Sequence, residues 1–163
     1  MKNEMEINFA AAACNEGLAR VAVAAFASAA DPTLEELADI KTAVSEAVTN
    51  AIIHGYGHTD GYTRGRRKTE RIHTEDRVRV ACRMEQGNLY VEVQDWGSGI
   101  EDIDKAMEPL YTTKPELDRS GMGFAFMEAF MDSVQVKSVP GEGTTVMMMR
   151  KMEVGDWIGG EDF

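Results

Sequence analysis

The apolar residues of this chain recur mainly at helical spacing before residue 56 and mainly in alternation after residue 76, and that change restricts the folds open to it. From about Asn15 to Ala30, Leu18, Val21, Ala22, Ala25, Phe26 and Ala29 recur at the spacing of a helix face. Asp31 and Pro32 break that run. Thr33 and Glu36 then form a capping-box pattern, opening a second helix through Leu37, Ile40, Val44, Ala47, Val48 and Ala51 to about His54, with Gly55 as its stop. After residue 76 the period becomes two. Val78, Val80, Cys82 and Met84 alternate with polar residues, as do Leu89, Val91 and Val93, and the short connection at Gln86 to Asn88 makes them a hairpin. Met5 to Ala10 alternates loosely as a first strand. A short helix is expected over 101–107, and another after Gly123 carrying Phe124, Met127, Phe130 and Met131. Strands are expected over 133–139 and 144–152, joined by the turn at Pro140 to Gly143. Helices grouped early and strands late, with no repeat, predict an α+β two-layer sandwich in which helices cover one face of a mainly antiparallel sheet.

The chain's 163 residues suit one domain, expected over 1–152, with a frayed acidic tail at 153–163. A net charge of −11 argues against general nucleic-acid binding, which needs a clustered positive surface. Cys14 and Cys82 have neither CxxC nor Cys/His spacing and read as small apolar side chains rather than a disulfide or a zinc site. The acidic N-terminus is unlike a secretory signal, and no apolar run has membrane-spanning length. A cytoplasmic protein is expected.

Several polar residues fall where chemistry could use them. Glu46 and Asn50 lie four apart on one helix, at the edge of its apolar stripe, with His54 a turn further on. A neutral amide oxygen suits magnesium beside phosphate oxygens, and a carboxylate can accept a hydroxyl proton. Alone, the pair is better read as a solvated helix face. Asp95 ends an apolar strand and opens Asp95, Trp96, Gly97, Ser98, Gly99, a DxGxG loop. A carboxylate there can accept a hydrogen bond from an exocyclic amine such as that of adenine, or simply belong to a tight turn. Gly121 and Gly123 open a helix whose free N–H groups suit phosphate, with Lys114 and Arg119 just before. Thr144 and Thr145 could place a hydroxyl near a base, although threonine in a strand needs no such reason. There is no GxxxxGK[ST] loop and no GxGxxG after a strand. The informative feature is the order: helical ExxxN, DxGxG after a strand, a long aperiodic segment, GxG opening a helix, then GTT on a strand.

In that order the chain resembles the ATP-binding superfamily of gyrase, Hsp90-type chaperones, histidine kinases and MutL-type proteins. Within it, the stretches IKTAVSEAVTNAIIHGY (40–56) and LYTTKPELDRSGMGF (110–124) are similar to the anti-sigma F factors of spore-forming bacteria, as are the first five residues and 15–20. The resemblance covers roughly 1–56 and 77–150. It implies a Bergerat-type ATP-binding fold and a dimer that uses ATP or ADP with Mg2+. It also implies inhibition of sigma factor F and serine phosphorylation of an anti-anti-sigma protein. By matching motif, Glu46 is the general base and Asn50 the magnesium ligand. Asp95 reads adenine above Gly97 and Gly99 with Thr145 in support, and Arg119, Gly121 and Gly123 hold phosphates in a lid from about Glu108 to Ser120. Arg20 contacts partners. A binding module in which ATP only shapes a partner surface is the second reading. A histidine kinase lacks room here for its His-bearing helices.

One departure from the resemblance is the length of the connection at 57–76. Residues 62–73 carry Arg64, Arg66, Arg67, Lys68 and Arg71 against Glu70; without them, 12 basic and 27 acidic residues leave a net of −15. A basic loop on an acidic body is either a docking element or a surface insertion, and insertions are tolerated at small entropic cost.

Overall fold

The computed structural model describes residues 2–59, 72–109 and 123–152. They form five strands and four α-helices: β1 (Lys2–Ala10), α1 (Cys14–Ala27), α2 (Leu34–Asn50), β2 (Arg77–Glu85), β3 (Asn88–Asp95), α3 (Ile103–Ala106), α4 (Gly123–Phe130), β4 (Ser133–Val139) and β5 (Gly143–Lys151). The sheet order is β1-β2-β3-β5-β4, and every pairing is antiparallel. The chain leaves β3 at Asp95 and returns as the edge strand β4. It then folds back so that β5 pairs with β3. Asp95 and Thr144 consequently face each other at one end of the sheet.

Each element follows its local chemistry. Thr33 accepts the Glu36 N–H while the Glu36 side chain accepts the Thr33 N–H, so the expected capping box fixes the start of α2. Between β2 and β3, Gln86 and Gly87 both take positive φ, 52° and 75°, as a type I′ hairpin turn requires. In β2 and β3 every second residue is buried, which gives the sheet its inner face of Val78, Val80, Cys82, Met84, Leu89, Val91 and Val93. Onto it α2 lays Ile40, Val44, Ala47 and Val48, and packs between α1 and α4.

The expected face of α1 is not the buried one. Ala19, Val23 and Ala27 point inward, while Leu18 and Val21 are exposed. An alanine-rich helix is apolar all round, so its pattern does not fix its rotation. The smaller side of α1 lies inward, where it fits close to α2. A second difference lies at the end of α2, where the last turn widens into a π-helical stretch, Ala51–Gly55, instead of continuing as α-helix to His54. No helix among the described residues is long and apolar enough to cross a membrane.

Ile40 is completely buried at the centre of this layer. Ile40→Ala is expected to lower the unfolding free energy by about 2–5 kcal/mol, read from the urea midpoint at unchanged slope.

Candidate functional site

Three segments converge at the β3–β5 end of the sheet: the end of α2 with its π-helical turn, the 95–99 loop, and the start of α4. They enclose a cavity of about 710 Å³ lined by residues including Asn50, His54, Tyr56, Asp95, Gly99, Lys105, Gly123 and Thr144. The wide turn carries Gly55 beneath the 95–99 loop, where its carbonyl accepts the Ser98 N–H at 2.8 Å. That contact needs bare backbone on both sides. A Cβ at Gly97 would lie 2.1 Å from the Gly55 oxygen, and one at Gly55 would lie 2.9 Å from the Asp95 carboxylate. Tyr56 closes the same corner: its hydroxyl donates to the Arg77 carbonyl at 2.6 Å and accepts the Trp96 N–H at 2.8 Å. The loop's other side is held by Gly141 N–H donating to the Ser98 carbonyl, 2.7 Å, and by the Ser138 hydroxyl accepting the Ile100 N–H, 2.7 Å.

Asp95 is the one charged or polar side chain that is buried among the described residues. Burial pushes its carboxyl up from an ordinary value of 3.8 to about 6, and the backbone N–H groups of Gly97 and Thr144 pull the other way. Gly97 donates to Oδ1 at 2.9 Å. An acceptor held this way, facing a cavity, is suited to a ligand donor.

Glu46 and Asn50 are half-buried at the edge of the α2 stripe. Both face the first residue of α4: from the position of a Cβ on Gly123, the Glu46 Oε2 is 3.2 Å away and the Asn50 Nδ2 and Oδ1 are 3.3 and 3.4 Å away. Glu46, Asn50 and Gly123 are thus brought together, with Asn50 and Gly123 lining the same cavity as Asp95. Arg119 and Gly121 lie outside the described residues. Arg20 stands away from this group on α1, where it is partly exposed and pairs with Glu16 at 3.9 Å.

Two expected positions lie apart from the cavity lining. Thr145 pairs with Gln94 and Lys137 in register, on the side of the sheet away from the cavity. Thr144 is the threonine at the cavity, opposite Asp95 and within 2.8 Å of the Ser138 hydroxyl. A strand alternates sides at every residue, so adjacent threonines cannot both face the site. Gly97 packs on Gly55, whereas Gly99 lines the cavity and also abuts the Val139 carbonyl, 2.3 Å from where its Cβ would stand. Tyr56 and Lys105 are cavity residues that sequence reasoning did not single out. Neither lies in a spacing pattern, and only the fold around one cavity puts them in the same lining as Asp95.

Comparison with known proteins agrees with this architecture. Residues 9–150 match the family model described as the histidine kinase-like ATPase domain. The chain is 51% identical to the anti-sigma F factor of Clostridium acetobutylicum over 93% of this chain and 95% of that relative. It is 47% identical to the anti-sigma F factor of Bacillus subtilis over 93% of this chain and 94% of that relative. The chain belongs to the anti-sigma F factors of the histidine kinase-like ATPase family. A crystal structure of the RsbU and RsbW domains of a Mycobacterium tuberculosis protein superimposes with a TM-score of 0.59 at 19% identity, covering 91% of this chain and 32% of that one. It shares the fold, the Bergerat-type sandwich of helices on an antiparallel sheet.

For an anti-sigma F factor family member the buried Asp95 carboxyl carries a measurable cost. The folded chain keeps its proton to higher pH than the unfolded chain does. Stability therefore falls as pH rises from about 4 to about 6 and levels off above, a loss on the order of 3 kcal/mol. Asp95→Asn is expected to melt higher than the parent at pH 7.5 without nucleotide, by about 1–3 kcal/mol in unfolding free energy. That advantage should disappear by pH 4, and thermal melts across this range would show it.

Proposed function

We propose that this chain binds ATP with magnesium, holds sporulation sigma factor F inactive, and phosphorylates a serine of the anti-anti-sigma protein that opposes it. The observation that carries the reading is the convergence of Glu46 and Asn50 on Gly123, beside the cavity that contains the Asp95 carboxylate. A buried acceptor, a glycine-lined cavity, hard oxygen donors and a helix that starts at a glycine beside them are together what an adenine nucleotide with a hard cation requires. The names of the relatives supply the sigma-factor half of the proposal. The unit responsible is 1–152, acting as a dimer, with Arg20 on the exposed side of α1 available to partners.

Asp95, ionised, accepts the adenine exocyclic amine and thereby gains the partner that burial denies it. The N–H groups at the start of α4 bind phosphate oxygens with the helix dipole behind them. In this reading Arg119 and Gly121, earlier in the same segment, complete the phosphate contacts. Asn50 offers its amide oxygen to magnesium, and magnesium when bound supplies neutralisation of the charge on the phosphates. Glu46 takes the proton from the attacking serine hydroxyl, so the phosphoryl group passes directly to the serine oxygen with no phosphoenzyme. ADP occupies the same site after transfer, which makes partner affinity responsive to nucleotide state.

The direct test is incubation with labelled ATP, magnesium and the cognate anti-anti-sigma protein. Label on one serine of that protein is expected. Its absence, with sigma factor binding intact, would leave a nucleotide-shaped binding module in place of a kinase. Glu46→Gln is expected to retain ATP binding and to lose about 10²–10⁴-fold in phosphotransfer rate; wild-type turnover would remove Glu46 from the mechanism. Asn50→Ala is expected to abolish magnesium-dependent ATP binding while melting like the parent, as checked by calorimetric titration with and without magnesium. Nucleotide affinity should also weaken as pH falls through about 6, because a protonated Asp95 no longer presents a full acceptor.

A further inference from the structure

The two ends of the basic insertion meet at a group of side chains that the nucleotide site does not use. His58 leaves the π-helical turn, and His73 and Asp76 lead into β2. His58 Nε2 lies 2.7 Å from Asp76 Oδ2, and the two imidazoles stack with centroids 4.3 Å apart at 9°. One nitrogen from each ring and one Asp76 oxygen all lie within 4.8 Å of one another. The geometry points to a divalent transition-metal site, zinc by its ligand chemistry, formed by His58, His73 and Asp76 across the base of the insertion.

The donor set supports zinc over magnesium. Two imidazole nitrogens and a carboxylate are ordinary zinc ligands at about 2.0–2.2 Å, whereas magnesium prefers an all-oxygen shell. Three ligand atoms this close need to move by only about 1 Å or less to reach those bond lengths, and the two stacked rings need to turn out of their parallel planes so that both nitrogen lone pairs meet at the ion, leaving a fourth tetrahedral position for water. Glu75 adds the support expected behind a metal-bound histidine: its Oε1 lies 3.5 Å from His73 Nδ1. A carboxylate there would keep that nitrogen protonated and leave Nε2 for the ion. The His58, His73 and Asp76 side chains are 19%, 30% and 32% exposed, so an ion has a path in from solvent.

What the ion does follows from where its ligands sit in the chain. His58 precedes and His73 follows the stretch 60–71 with its five cations, so a shared ion ties the described residues on either side of that stretch to one point. The two sides otherwise meet through the His58–Asp76 contact and the stacked His58 and His73 rings, while the Asp76 N–H donating to the His73 carbonyl at 3.2 Å forms a turn within the second side. His58 is also two residues past Tyr56, whose ring lies 6.0 Å away and whose hydroxyl binds the Arg77 carbonyl next to Asp76. The metal therefore braces the corner of the nucleotide cavity without entering it.

The test is calorimetric titration of the whole, metal-stripped chain with zinc alone, in excess magnesium and without nucleotide, using a Cys14→Ser background so that the exposed thiol cannot bind the ion. One equivalent is expected to bind, and cobalt in its place should give the intense visible absorption of a tetrahedral site. His73→Gln and His58→Gln should each weaken zinc binding at least tenfold, and Glu75→Gln several-fold. Zinc should raise the melting temperature of the parent but not of the two histidine variants. No stoichiometric zinc bound by the parent, or an affinity unchanged in His73→Gln, would overturn the assignment. The cobalt spectrum and the zinc-dependent melt of the parent do not depend on any variant folding.

Discussion

A carboxylate buried at the end of β3 is the constraint around which the rest of the site is built. Asp95 lies in the inner layer with Val78 on one side and Thr144 on the other, in a row that is otherwise core. Removing it from water disfavours its charge, and two backbone N–H groups only partly compensate. To bring those donors close, the chain gives up side chains. A Cβ at Gly55 would meet the carboxylate itself, and one at Gly143 would lie 2.2 Å from the Asp95 carbonyl. The fold thus accepts local instability in order to present an acceptor that is already desolvated. A ligand N–H arriving there finds little water to displace, and its hydrogen bond gains strength from the low dielectric.

The second requirement is that α2 serves the core and the site at once. Ile40, Val44, Ala47 and Val48 anchor it between the sheet and its neighbouring helices, and the same rigid cylinder carries Glu46 and Asn50 at the edge of that stripe. Positioning by a packed helix is what the proposed phosphoryl transfer would need, since in such chemistry small displacements of a base or metal ligand cost large factors in rate. The π-helical turn at its end then moves the chain sideways, so that Gly55 and Tyr56 reach the 95–99 loop. A regular α-helical turn would have continued along the axis.

Much of this was legible from residues alone, and the exceptions have specific causes. The capping box at Thr33, the buried stripe of α2, the β2–β3 hairpin and the β4–β5 hairpin follow from local rules that need no partner. The pairing of Glu46 with Asn50 follows from helical spacing. The rotation of α1 did not, because an alanine-rich helix with Leu18 and Val21 on one side and Val23 on another offers two apolar faces. The choice between Thr144 and Thr145 did not, because it depends on which side of the sheet β5 turns inward. That is set by its register with Asp95 rather than by its own composition. Tyr56 went unnoticed for a similar reason: its two hydrogen-bonding partners, Arg77 and Trp96, are 21 and 40 residues away.

The sequence by itself determined the elements, their caps and turns, the class of fold, and the chemical kinds of group available: a helical carboxylate and amide, a strand-end carboxylate, and glycines where backbone must come close. These are properties of spacing and of local dihedral preference, and they act within a few residues. Tertiary structure decided which of those groups share a cavity, which threonine faces it, and that the two ends of an insertion bring two histidines and an aspartate together. Those outcomes depend on strand register and helix rotation, which are fixed only when distant apolar faces are buried against each other.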